Sequence, residues 1–370
     1  MQPKSGMAFR RLLVVRTDRL GDVVLSLPVI SALRRTFPGA HVAVLVHPSV
    51  VELVEDHPDL DAVLIDGGEC SWMEWMRLVR KLRKERFDAA LLLHPTLRLA
   101  AALAAARIRI RVGTGYRFYS FLFNRRVFEH RKRSIKHEAE YNLSLARILG
   151  ADISRVVFRL NIAGSARKTV DAFLRERLKR RSRPLVVLHP GSRKSALDWP
   201  IDAFTRLADK LVREAHASIV VSGGPQERDM AERMAAAIST KAISAAGRFN
   251  LKELRALFQR ADLFISNSTG PLHLARAAGT EVIGLYPPLR PASHRRWGPY
   301  GRNDSVLVPD LPECRRCRGR RCPEWNCMRR ISVDAVFALS IQKLAGKKKS
   351  SSGSSIPDSE SRTARGKSIG

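Results

Sequence analysis

Short runs of Val, Ile, Leu and Ala, each closed by Gly, Pro, Thr or His, alternate with amphipathic stretches along the first half of the chain: LLVVRT, HVAVLVHP, AVLIDGG, AALLLHP and RIRVGTG. Parallel strands buried on both faces read as continuous apolar runs of this kind, because helices cover both sides of the sheet. The pattern restarts after Pro184 with LVVLHPG, SIVVSGG, AISAAG, LFISNSTG and VIGLYPP, interleaved with helical periodicity over 202–215 and 250–261. The chain therefore reads as α/β, built as two successive units. A charged amphipathic helix over 168–183 marks the join, which sets a first domain at 1–165 and a second at 166–345. Residues 346–370 hold too few apolar side chains to offset the entropy of ordering them, and read as a disordered, basic, Ser-rich tail.

Composition narrows this picture. With 45% apolar and 27% charged residues among 370, fibrous repeats and wholesale disorder are excluded and two domains of ordinary size fit. Lys and Arg number 66 against 35 Asp and Glu, a net charge of +31. Only six basic and two acidic residues lie in the tail, so the folded body is itself basic and its partner is expected to be anionic. The apolar run near the start covers only 12–15, short of the roughly 7 to 15 residues of a secretory core. The Ala-rich stretch from Leu99 is broken by Arg107 and Arg109, so nothing approaches the roughly 18 to 20 apolar residues that cross a bilayer. A cytoplasmic protein is expected, peripheral at most.

Three strand–loop–helix segments carry candidate chemistry. In RLLVVRTDRLGDVVLSLPVISALRR, Gly21 permits the turn and Pro28 limits or kinks the first helical piece. Asp22 stands at the helix start, where it either caps an exposed amide or faces the ligand crevice at the C-terminal edge of a sheet. In VVLHPGSRKSALDWPIDAF, the residues Gly191, Ser192, Arg193 and Lys194 supply amides, a hydroxyl and cations in one loop, either a diphosphate cradle or a solvated basic loop. In LFISNSTGPLHLARAAG, small hydroxyl residues and Gly270 stand at a helix N-terminus, an anion-binding arrangement, with His273 one turn further. Gly223 and Gly224 follow another strand, and place Gln226 and Glu227 to meet sugar hydroxyls.

Cys314, Cys317, Cys322 and Cys327 are spaced C-x₂-C-x₄-C-x₄-C, compact enough for four thiolates to hold structural zinc or an iron–sulfur group. Reduced thiols in an Arg-rich loop are the plainer alternative, since seven Arg lie between 315 and 330. Cys70 stands alone.

Four segments in order, R-T-D-R-L-G-D-V-V-L-S-L-P, H-E-A-E-Y-N-L-S-L-A-R-I-L-G, H-P-G-S and S-N-S-T-G-P-L-H-L-A, resemble the ADP-heptose:lipopolysaccharide heptosyltransferases over most of residues 10–345. The cysteine segment is similar to one found in many members. The resemblance implies the GT-B fold, two Rossmann-like domains whose parallel sheets face each other across a cleft. It also implies inverting transfer of heptose from ADP-heptose to the inner core of lipopolysaccharide, without a catalytic metal or other cofactor. By the same likeness Asp22 is the general base and Ser192 a phosphate contact, while Ser268, Thr269, Gly270 and His273 edge the donor. The sequence departs from the family at Leu197, where many relatives carry a phosphate-binding Lys, and at Ser268, where many carry an acid. Arg193 or Lys194 would then have to replace the missing cation.

Transfer from such a donor makes two demands. Helix N-termini and cations answer the negative charge that develops on the departing diphosphate, and a carboxylate takes the acceptor's proton. Between 116 and 137, YRFYSFLFNRRVFEHRKRSIKH mixes aromatics with Arg117, Arg125, Arg126 and Lys136, either to embrace a phosphorylated or acidic glycolipid at the inner membrane or simply as a solvated basic loop. Two other readings stay open. One keeps the chemistry and changes the nucleotide sugar or acceptor; the other is a non-catalytic nucleic-acid binder with a cysteine zinc module, which the doubled sheet pattern disfavours.

Overall fold

The computed structural model describes residues 9–69, 71–178, 184–192, 197–238 and 242–352. The first six strands are β1 Arg11–Val15, β2 His41–Val46, β3 Ala62–Ile65, β4 Ala89–Leu92, β5 Ile110–Thr114 and β6 Arg125–Val127. They form one parallel sheet in the order β3-β2-β1-β4-β5-β6. The second set is β7 Leu185–His189, β8 Ser218–Val221, β9 Ala242–Ser244, β10 Leu263–Asn267, β11 Val282–Leu285 and β12 Val306–Leu307. Its order, β12-β11-β10-β7-β8-β9, repeats the first arrangement. Central strands β4, β7, β8, β10 and β11 are buried at every position, which is why they are legible as unbroken apolar runs.

In each sheet the chain order reverses beside the first strand, between β1 and β4 and between β7 and β10. Open parallel sheets bind ligands at the carboxyl ends of the strands flanking such a reversal. The loops after β1, β4, β7 and β10 are therefore the ones the topology directs to function.

The helix Gly164–Arg177 packs on the helix Leu251–Arg260 of the second domain, with Arg260 paired to Asp171 at 2.6 Å. The terminal helix Val333–Ser352 extends beyond Gly346, into the segment expected to be disordered, because a helix already nucleated upstream gains one backbone hydrogen bond for each further residue it fixes. Residues 353–370 lie outside the described residues.

Two contacts close the molecule far apart along the chain. Arg255, fully buried on the helix Leu251–Arg260, reaches the first domain and pairs with Asp56 at 3.1 Å while donating to the carbonyls of Glu52 and Leu53. The helix Leu20–Val24 lies against the helix Gly270–Ala277, backbone on backbone.

Candidate active site

Between the domains lies a cleft of about 710 Å³, the size of a small-ligand site. Its first-domain wall follows β1. Arg16 leaves that strand with a side chain only 3% exposed, and its guanidinium holds Asp18 at 2.7 Å and Asp22 at 2.6 Å. Further bonds run from Arg16 to Asn142 Oδ1 at 3.3 Å and to Glu138 at 3.5 Å. Asp22 is not an N-cap: the cap position of Leu20–Val24 is Arg19, without a side-chain bond, and the Asp22 carboxylate turns to Arg16 instead. It keeps 19% of its side chain exposed and lines the cleft. Burial pushes its carboxyl up to about 6, with Arg16 opposing and Asp18 and Glu138 adding to the rise. Such a group is ionised at neutral pH yet basic enough to accept a proton, the compromise that general-base catalysis favours.

Gly21 does not serve a turn, being helical. A Cβ on it would fall 2.9 Å from the Gly270 Cα and 3.1 Å from the His273 ring, so its bareness lets the two domains touch. Pro28 behaves as expected, sitting in the first turn of a second helix, Leu27–Thr36.

The second-domain wall comes from the loops after β7, β8 and β10: Ser192, Gly223, Gly224, Glu227, Ser268, Thr269 and Gly270 all face the cleft, with His273 behind them. Thr269 occupies the cap position of Gly270–Ala277 without a side-chain bond to it; Pro271 carries no N–H and the Leu272 amide donates to Thr269 O at 3.2 Å, so Gly270 supplies the first-turn amide for a ligand. Burial, aided by nearby His137, pushes the His273 imidazole down to about 3, and its Nδ1 has no partner among the described residues. It is thus a neutral group aimed by packing. Glu227 accepts from the Gly224 amide at 2.7 Å. Gly191 makes room for that carboxylate rather than lining the cleft, since a Cβ there would lie 1.7 Å from Glu227 Oε1.

Other expected residues fall elsewhere. Gln226 is exposed and outside the cleft lining, and Leu197 packs against the second-domain core, so no cation replaces the family lysine at that place. Arg193, Lys194 and Cys70 lie outside the described residues. Arg117, Arg125 and Arg126 are exposed on the loop after β5 and on edge strand β6, and Lys136 pairs with Glu129 at 2.7 Å; none of the four lines the cleft.

The sequence leaves two readings of the cysteine segment open, a structural metal or reduced thiols, and Cys317, Cys314 and Cys322 lie near enough to Cys327 to add to the rise that burial gives its thiol. Among the described residues no three His, Cys, Asp or Glu side chains are arranged to hold a metal ion, and all four cysteines are free thiols. The segment's own bonds set the thiols: Gly319 N donates to Cys317 Sγ at 3.3 Å, and Cys314 is tied by its backbone to Leu289.

Sequence reasoning missed Arg16, Asn142, Glu138 and Arg296. Glu138 occupies the first turn of the helix Glu138–Arg147, where an acid is ordinarily read as complementing the helix dipole. Its partner Arg296 is 158 residues away, beyond any local pattern.

Comparison with known proteins gives the fold and the family. The lipopolysaccharide core heptosyltransferase OpsX of Haemophilus influenzae is 26% identical, the match covering 89% of this chain and 95% of that protein. The crystal structure of the glycosyl transferase family 9 protein from Veillonella parvula superposes with a TM-score of 0.77 at 22% identity, covering 91% of this chain and 97% of that one. The Escherichia coli heptosyltransferase WaaC, solved with ADP, gives 0.68 at 18% identity over 90% of this chain and 99% of its own. These likenesses bear out the two-domain GT-B fold with its parallel sheets across a cleft. The model of glycosyltransferase family 9 (heptosyltransferase) matches residues 75–327, and this chain belongs to that family.

Proposed function

We propose that the enzyme moves a heptose from ADP-heptose to an inner-core sugar of lipopolysaccharide in one inverting displacement. The observation that supports the reading is the contact of Gly21 with Gly270, which brings Asp22 of one domain beside the first turn of Gly270–Ala277 of the other. The acceptor oxygen forms a bond to the anomeric carbon as the bond from that carbon to the diphosphate breaks. Its proton passes to Asp22, and the electron pair leaves on ADP. The Gly270 amide at the helix start, with the Ser268 and Thr269 hydroxyls, would meet that developing charge. Glu227, which lines the cleft, would accept from a sugar hydroxyl of the donor. WaaC's binding of ADP and the family's name support the donor assignment.

The test is a transfer assay over ADP- and UDP-sugar donors with purified core acceptors, read by product mass. A heptosyl adduct from ADP-heptose is expected. Preferential use of a UDP-sugar would replace the donor, and the absence of product with every donor would sink the reading. Thermal stabilisation by an oligonucleotide but not by ADP would favour the nucleic-acid binder instead.

The acceptor side is proposed to rest on an anionic membrane. Loops at the carboxyl ends of β3, β4 and β5 join into one exposed aromatic rim. Trp72, 71% exposed, stacks on Trp75, whose indole donates to Arg98 O; Tyr119 donates to Pro95 O and touches Phe118, 81% exposed. Exposed Leu97 and Phe121 extend it, exposed Arg117 flanks it, and His94 in the same β4 loop lies 3.9 Å from Asp18. Apolar side chains beside cations suit the interface of anionic lipid, and no helix among the described residues is long and apolar enough to cross a membrane. Phe118→Ser with Phe121→Ser is expected to lower affinity for phosphatidylglycerol vesicles by about tenfold, since each removes much of the apolar burial. Transfer to an acyl-free core acceptor should be unchanged. Undiminished vesicle binding would remove the rim from the proposal.

A further inference from the structure

Glu138 is 1% exposed, yet three guanidiniums share its carboxylate: Arg131 at 2.6 Å, Arg296 at 2.8 Å and Arg16 at 3.5 Å. Arg131 and Arg16 belong to the first domain, while Arg296 lies on the short helix His294–Trp297 of the second. Backbone contacts hold that pairing in place. Arg296 also donates to the Arg131 carbonyl at 3.2 Å, His137 Nε2 meets Gly298 O at 2.9 Å, and the Ser134 hydroxyl donates to Arg290 O at 3.2 Å. Although burial pushes the Glu138 carboxyl up, Arg131, Arg296 and Arg16 hold it below the usual range, so it stays a carboxylate.

The charges balance in a telling way. Asp18, Asp22 and Glu138 are three carboxylates, and Arg16, Arg131 and Arg296 are three guanidiniums, so the cluster is neutral only while Arg296 is docked. Arg16 is the common member, with one face toward Glu138 and the other toward Asp22.

We propose that Glu138 is a positioning residue, dividing its charge between Arg16, which holds Asp22, and Arg296 of the second domain, so that the base is complete only when the two domains are in contact. This rests on the reading of Asp22 as the base. Domain closure around a donor would then do two things at once, shutting the cleft and setting the charge that Arg16 can offer Asp22. With the second domain withdrawn, Glu138 competes harder for Arg16, and Asp22 holds its proton more firmly. The base is thereby kept from water until a donor is enclosed.

Other charged groups also face this cluster. His94 meets the far side of Asp18, Arg19 lines the cleft beside Asp22, Arg117 lies toward His94, and Glu129 lies toward Arg131. On the second-domain side, neutral His273 touches Gly21.

The test is the acid limb of the pH profile of kcat/KM for transfer, measured on the full chain with ADP affinity determined alongside. Arg296→Gln leaves an excess negative charge beside Asp22 and should move the limb up by roughly half a pH unit or more. Glu138→Gln leaves an excess positive charge and should move it down by a similar amount. Arg296→Lys keeps the charge and should return the limb to within a few tenths of a unit of wild type. A merely structural role predicts no such opposite movement. Limbs that stay at the wild-type position, or move together, overturn the proposal. Should Glu138→Gln fail to fold once Arg131 and Arg296 lose their carboxylate partner, the Gln and Lys variants at Arg296 still decide it. Wild-type enzyme without any transfer would instead defeat the assignment of function.

Discussion

Asp22→Asn is expected to lower the transfer rate by about 10²- to 10⁴-fold, the range that general-base help contributes, while ADP affinity stays within about twofold of wild type. The amide keeps the size of the side chain and can still accept from Arg16, so the loop after β1 has no reason to move. What it lacks is a carboxylate for the acceptor's proton. The pH dependence carries its own signature. With the Asp22 carboxyl at about 6, wild-type kcat/KM should fall as pH drops through that value, because the protonated acid cannot serve as base, and should level off above it. The Asn variant should lose that limb together with the rate. Turnover near the wild-type level, or a limb that survives the substitution, would take the base away from Asp22.

Gly270→Ala should be nearly as damaging, for a reason unconnected with proton transfer. A Cβ at that position would sit 2.8 Å from the Gly21 amide nitrogen and 3.3 Å from Leu20 Cβ. Backbone on the near side cannot rotate away, so the domains must part by a fraction of an ångström to about one ångström where the helix that carries Asp22 meets the first turn of Gly270–Ala277. A misplacement of that size costs roughly 10²-fold in rate. The helix itself would not suffer, because Ala is the better helix former. Gly164→Ala is the control: it too opens a helix, and nothing lies within 4 Å of its Cβ. Equal activity in the two variants would show that the Gly21–Gly270 contact does not govern the chemistry.

The strands were legible because burial on both faces leaves an unbroken apolar signature, and every run quoted from the sequence holds a strand. Strands β6 and β12 escaped notice. Arg125–Val127 and Val306–Leu307 are short edge strands, and edge position with partial exposure allows Arg where a central strand would need Val. Loops of the second domain were readable from their Gly and hydroxyl residues, since few other side chains permit backbone amides to face a ligand. The reading failed where function depends on partners distant in sequence. Gly21 looked like a turn glycine because only the fold reveals Gly270 opposite it, and Glu138 looked like a helix-start acid for the same reason. The basic residues after β5 were noticed for their charge, but charge alone does not say which way a surface loop faces.

Arg255 has a consequence for the origin and divisibility of the molecule. Two sheets of identical strand order invite the idea of two separable modules, each able to be produced and studied by itself. The Arg255–Asp56 contact argues otherwise, because Arg255 is fully buried only in the intact chain and its acceptors Glu52, Leu53 and Asp56 all belong to the first domain, so severing the chain removes every one of them and bares the surfaces that met. Fragments divided within the irregular stretch before Gly164 should therefore be poorly folded when expressed apart and recover when co-expressed, whereas the intact chain should melt in a single transition.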